Sequence, residues 1–133
     1  MHKKDRSSSF CVDYWGLNAK THLGAYPMPQ IQDILESSYG VTVFSTLYLK
    51  SGYWQMEIEA DSIEKSAFVT SSGLYEFLCV PFGLKTSAAP FQRLMEYVLI
   101  KVKGKCCMVY IDNIVVCSSN ITEHFQHPAF QVF

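Results

Sequence analysis

Cys106-Cys107-Met108-Val109-Tyr110-Ile111-Asp112-Asn113-Ile114-Val115-Val116-Cys117 is the stretch whose reading decides the fold. Two apolar, β-rich runs flank a polar tip, Asp112-Asn113. Two such runs joined by two turn-tolerant residues predict a tight β-hairpin. The tip carries one carboxylate and one amide, held out by strands that belong in a core. Taken alone it reads as an ordinary turn, because Asp and Asn accept left-handed backbone geometry.

Upstream of the hairpin, Phe91, Leu94, Met95, Val98, Leu99 and Val102 recur at three- and four-residue steps between Ser87 and Val102. That spacing predicts an amphipathic helix with Gln92, Arg93 and Glu96 on its outer side and Gly104 as its stop. Val41 to Leu49 is β-branched and apolar, and reads as a buried strand broken by Lys50-Ser51-Gly52. Tyr53 to Glu59 alternates loosely, as a strand or extended arm, and Asp61 to Lys65 suits a short helical turn. Ala67–Thr70 and Leu74–Val80 flank Ser71-Ser72-Gly73, a second hairpin signal. Pro81-Phe82-Gly83 marks a turn. Nearer the N-terminus, Phe10 to Tyr14 reads as a short strand followed by a loop, and Gln30 to Ser38 as a helix bounded by Pro29 and Gly40. Asn120-Ile121-Thr122-Glu123 has the pattern of a capped helix start, with Pro128 ending the helix soon after.

The chain has 133 residues, 49% hydrophobic and 17% charged, which suits one core-rich domain or a piece of one and excludes disorder. Residues 1–9, charged and serine-rich, are expected to fray. So low a charge fraction suggests apolar surface that expects a covering segment. A net charge of −1 makes no bulk electrostatic case for nucleic acid, although a local basic groove remains compatible with it. Five cysteines, all within apolar runs and none in a C-x-x-C pair, suggest reduced thiols and an intracellular setting, cytoplasmic or nuclear. His124 and His127 lack zinc-finger partners and read as a solvated helix face. No apolar run approaches the length of a membrane span, and the basic N-terminus is followed by no apolar signal-peptide core.

Several motifs in order carry a family likeness. They are Phe10-Cys11-Val12-Asp13-Tyr14, Ala25-Tyr26-Pro27-Met28-Pro29, Phe44 to Gln55, Val80-Pro81-Phe82-Gly83-Leu84-Lys85, Phe91-Gln92-Arg93-Leu94-Met95 and Val109-Tyr110-Ile111-Asp112-Asn113. Over roughly residues 3 to 127 the chain resembles the fingers and palm of a reverse transcriptase, in particular that of gypsy-type long-terminal-repeat retroelements and retroviral pol. Several motifs at family-like spacing are more specific than any one of them. The resemblance implies an α+β fold with an antiparallel palm sheet packed on helices. About 1–40 and 60–80 are expected to be fingers-like and about 41–59 and 81–133 palm-like, with no thumb within the 133 residues.

The resemblance also implies a chemistry. Nucleotide addition is an in-line phosphoryl transfer assisted by two Mg²⁺ ions, hard cations that prefer carboxylate oxygens. The family supplies one aspartate at the end of the first palm strand and two at the hairpin tip. Here those positions hold Tyr48, Asp112 and Asn113. A phenol with an unperturbed pKa of about 10 and a neutral amide flank one surviving carboxylate. The expectation is that Mg²⁺ binding at Asp112 is weak or lost and polymerase activity with it.

Other positions carry over singly. Tyr53 matches the aromatic under the incoming sugar, and Phe82 the turn lining the nucleotide pocket, although either equally suits core packing. Lys3 and Lys4 match a finger tip that touches triphosphate. Ser9 and Trp15 stand where the family has basic residues, so a bidentate phosphate clamp is missing. Gln92 and Arg93 are placed to face template backbone, with a solvated helix face as the plainer reading. The missing thumb is expected to leave exposed palm surface, weak template–primer binding and some self-association. Three other readings stay open: an enzyme working with another subunit, a nucleic-acid- or protein-binding module, and a product of a decaying element with no function of its own.

Overall fold

The computed structural model describes residues 11–30, 32, 40–104 and 107–128. The expected helix at 30–38, Phe10, Ser9, Lys3 and Lys4 fall wholly or mostly outside them. The chain forms two compact units and crosses between them after Gly24, Gly52 and Ser87.

The unit holding Ala25–Gly52 and the chain from Ala88 onward is built on a three-stranded antiparallel sheet. Its strands are β1 (Val43–Tyr48), β4 (Cys107–Tyr110) and β5 (Asn113–Ser118), in the order β1-β5-β4. In β4 and β5 alternate residues are buried, so Cys107, Val109, Ile114, Val116 and Ser118 share one inward face. Against it the helix α2 (Ala88–Val98) buries Phe91, Gln92 and Met95. Leu99 and Val102 follow into the same core from the turns after the helix. The opposite sheet face carries Phe44, Thr46 and Tyr48, all exposed, in register with Cys117, Val115 and Asn113.

Helix α3 (Ile121–Gln126) starts as its cap pattern requires, the Asn120 side chain accepting from Glu123 N at 2.9 Å. It delivers His124 into the core at 2% exposure, between the hydroxyls of Ser118 (2.7 Å) and Ser45 (2.8 Å). That corrects the reading of this helix face as solvated: both ring nitrogens are occupied in tying β1, β5 and α3 together.

The other unit, Tyr53–Ser87 with the residues before Ala25, contains α1 (Trp15–Lys20) and the hairpin β2 (Phe68–Thr70) and β3 (Gly73–Tyr75). A bridge between Glu57 and Cys79, with Ile58 N bonded to Leu78 O and Val80 N to Met56 O, extends the pairing beyond the hairpin. Asn18 fastens the 83–85 turn from both ends of its amide, donating to Gly83 O at 2.7 Å and accepting from Lys85 N at 2.8 Å. Buried Tyr14 donates to Ser66 O at 2.9 Å.

Several expectations are corrected. Residues 11–14 form no strand, and a helix replaces the expected loop. Asp13 Oδ1 accepts Trp15 N at 2.9 Å and starts that helix, a local bond that overrides the β propensity of its neighbours. The 53–59 arm opens as a 3-10 turn, Gly52–Gln55, because the backbone reverses at Ser51 (φ 60°). The strand expected over 74–80 stops at Tyr75. The long helix ends at Val98 rather than near Val102, tightening where Ile100 N bonds Tyr97 O. Leu94 and Val98, expected in the core, are 39% and 45% exposed. Among the described residues no helix is long and apolar enough to cross a membrane.

Ile114 is fully buried at the centre of the sheet. Truncation by Ile114→Ala is expected to lower unfolding free energy by about 3 kcal/mol, measured by denaturant titration.

Candidate functional site

The hairpin turn is one residue earlier than the alternation suggests. Ile111 and Asp112 form the turn, while Asn113 belongs to β5, paired with Tyr110 on one side and Tyr48 on the other. Ile111 holds a left-handed φ of 55°, unusual for a β-branched residue and costly by about 1–3 kcal/mol.

Gln92 accounts for how that conformation is held. Its side chain is fully buried. Oε1 accepts from Ile111 N at 2.7 Å, and Nε2 donates to Val109 O at 3.0 Å and to Glu96 Oε1 at 2.9 Å. The amide clamps the β4 side of the turn, from Val109 to Ile111, which corrects its placement on the outer helix face. Arg93 is exposed, as expected.

The register brings the three expected site positions together at one end of the sheet. Tyr48 ends β1 opposite Asn113, and Leu49 N donates to Asp112 O at 2.9 Å. The Tyr48 hydroxyl donates to the Asp112 carboxylate, and that hydrogen bond, reinforced by the carboxylate charge, raises the phenol pKa above its usual 10.0. Tyr48 is therefore a neutral donor across the physiological range. It is also 66% exposed, so the ring stands over the open sheet face.

Gly52 closes this end of the site. A Cβ there would lie 2.8 Å from Phe91 Cζ and 3.4 Å from Asp112 Cβ, so only glycine permits the approach. The chain reversal at Ser51-Gly52 thus lies against both the Phe91 ring and Asp112 of the hairpin turn.

Tyr53 and Phe82 lie in the other unit and do meet: their ring centroids are 5.5 Å apart at 59°, with Trp54 6.3 Å from Phe82. Phe82 remains 45% exposed, so the pair forms an accessible aromatic surface. Glu96 and Gly52 were not singled out from sequence. The signals were the four-residue spacing of Gln92 and Glu96 and the glycine after Lys50-Ser51.

The comparisons agree with this architecture. The family model for reverse transcriptase (RNA-dependent DNA polymerase) matches residues 1–131. A retrovirus-related Pol polyprotein from transposon 297 of Drosophila melanogaster is 42% identical over 113 residues, covering 85% of this chain and 11% of its own length. An RNA-directed DNA polymerase homolog from Oenothera berteroana is 36% identical over 124 residues, covering 91% of this chain and 87% of that protein. The fold matches the foamy viral protease-reverse transcriptase solved in complex with double-stranded DNA, with a TM-score of 0.83 at 24% identity over 98% of this chain and 23% of that one. This chain belongs to the reverse transcriptase family. It spans about a tenth of the transposon Pol polyprotein, and most of the short plant homolog.

The family generally uses divalent metal ions, and the donors at the positions that the resemblance assigns to them are one carboxylate, one phenol and one amide. That set does not fit two divalent cations, which need several anionic oxygens between them. Among the described residues no group of three or more His, Cys, Asp or Glu side chains is placed to hold a metal.

Gly52→Ala is expected to destabilise the chain by about 1–3 kcal/mol through overpacking on Phe91. It should also shift the Asp112 and Asn113 amide resonances in a heteronuclear NMR spectrum. Unchanged stability with unchanged shifts would contradict the packing described.

Proposed function

We propose that this chain is a reverse-transcriptase palm and fingers segment of a retroelement pol that keeps the polymerase geometry and has lost metal-dependent nucleotidyl transfer. One observation carries the reading: Tyr48 stands where a metal ligand is required and gives its hydroxyl to Asp112, the one carboxylate left. A cation approaching Asp112 has to displace that hydrogen bond and finds no second anion to share its charge. Water competes successfully for a Mg²⁺ ion offered a single carboxylate. Without the cations, the attacking hydroxyl is not activated and the leaving pyrophosphate is not neutralised.

Primer extension with Mg²⁺ on a primed RNA or DNA template is expected to give no product above background. Product that disappears in Asp112→Ala would overturn the proposal. The paired reversion Tyr48→Asp with Asn113→Asp is expected to bind Mg²⁺ in calorimetry, since the backbone that would present the ligands is already in place. Absence of any heat would mean that more than the ligands has been lost.

A second reading, template–primer binding without catalysis, is supported by the foamy viral relative, which was solved with double-stranded DNA. The Tyr53–Phe82 surface would offer stacking area for bases. An electrophoretic shift on a primer–template is expected at low salt and to be lost as salt rises. No shift at low salt would remove this reading.

A further inference from the structure

The Glu96 carboxylate completes the Gln92 bridge and joins it to two parts of the unit outside the hairpin. Its Oε1 accepts from Gln92 Nε2 at 2.9 Å. Its Oε2 accepts from the Tyr26 hydroxyl at 2.8 Å and pairs with Lys103 Nζ at 2.6 Å. Tyr26 comes from the segment before β1, and Lys103 from the turns after α2.

A carboxamide can sit either way round, and the two orientations differ only in which end donates. At Gln92 the reversed orientation would set Nε2 against the Ile111 N–H and Oε1 against the Val109 carbonyl. Both contacts would become repulsive, at a backbone position already strained by φ 55°. The backbone groups therefore select this orientation, and Glu96, an ionised carboxylate that can only accept, adds a third contact that anchors Nε2 where they need it. Tyr26 and Lys103 in turn hold the carboxylate.

We propose that Glu96 is a positioning residue for the hairpin turn: held by Tyr26 and Lys103, it anchors the Gln92 amide that keeps Ile111 in its left-handed conformation and so sets where Asp112 is presented. The device works without a metal, which accounts for an ordered turn above a depleted ligand set. It stands independently of the loss of catalysis, because it concerns the turn's geometry alone.

The ionisation state follows from the contacts. Burial pushes the Glu96 carboxyl up, but hydrogen bonds from Gln92, Lys103 and Tyr26, with the Lys103 charge, more than offset it and leave it below its ordinary value of 4.5. The charged and titratable groups facing it are Lys103, Tyr26 and, through its charge on Tyr26, Arg93. From the hairpin, the Gln92 amide meets the Val109 carbonyl and the Ile111 amide. A carboxyl depressed in the folded state contributes above its unfolded pKa and loses that contribution as pH falls through the folded value. The brace is therefore intact at neutral pH and fails only in acid, as pH falls through a folded value depressed below the ordinary one.

The test is amide hydrogen exchange on the whole chain by NMR, expressed as protection factors. Glu96→Ala is expected to lower protection at Ile111 about tenfold, the scale of one lost hydrogen bond, with Val80 in the other unit unchanged. Glu96→Gln keeps an acceptor oxygen, so it should restore most of the protection and abolish the acid-dependent loss seen in the parent. Ile111 as protected in Glu96→Ala as in the parent would overturn the proposal. So would the parent's acid loss persisting in Glu96→Gln. Should Glu96→Ala fail to fold, the Glu96→Gln profile decides alone: flat supports the proposal, parent-like overturns it.

Discussion

A single buried carboxamide holds the part of this molecule where function would reside. Gln92 pairs two backbone groups where β4 runs into the turn, Val109 O and Ile111 N, and without it both would lose that partner. That satisfaction permits a β-branched residue at a left-handed position, and the turn it creates sets the Tyr48–Asn113 register across the sheet. Phe91, next to Gln92 on the same helix, fills the space that Gly52 leaves open. Two adjacent helix residues thus position both chain reversals at the site.

On the proposed function, geometry and charge have parted company here. The sheet order, the tight turn, the Gly52 approach and the Leu49–Asp112 bond need no cation, because each is made by backbone groups or packing. The reaction of the family needs anionic oxygens, and these depend on side chains that can change without disturbing the fold. On that reading Tyr48 costs the fold little: its ring projects from the open sheet face and its hydroxyl hydrogen-bonds the Asp112 carboxylate. A fold held by hydrogen bonds and apolar packing tolerates such a loss where a fold held by metal ligation would not.

Much of this was legible from residue pattern. The helix at Ala88, both hairpins and the Asn120 cap follow from periodicity, turn residues and capping chemistry, and the three positions that the family motifs single out lie together at one end of the sheet. What escaped was tertiary. Asp112-Asn113 has better turn propensity than Ile111-Asp112, and nothing local shows that a glutamine seventeen to nineteen residues away reverses the preference. Gln92 itself looks like a solvent-facing residue of an amphipathic helix until the hairpin closes over it. His124 misleads in the same way, its two serine partners lying six and seventy-nine residues distant. Polar residues that satisfy buried backbone are indistinguishable from surface residues by hydrophobic period alone.

The central claim is that the site keeps its shape without the charge to hold divalent cations. Titrating Mn²⁺ into the intact chain and following paramagnetic broadening of the Leu49, Asp112 and Asn113 amides tests it most directly. No selective broadening is expected at stoichiometric Mn²⁺. Selective broadening centred on Asp112 at that concentration would contradict it.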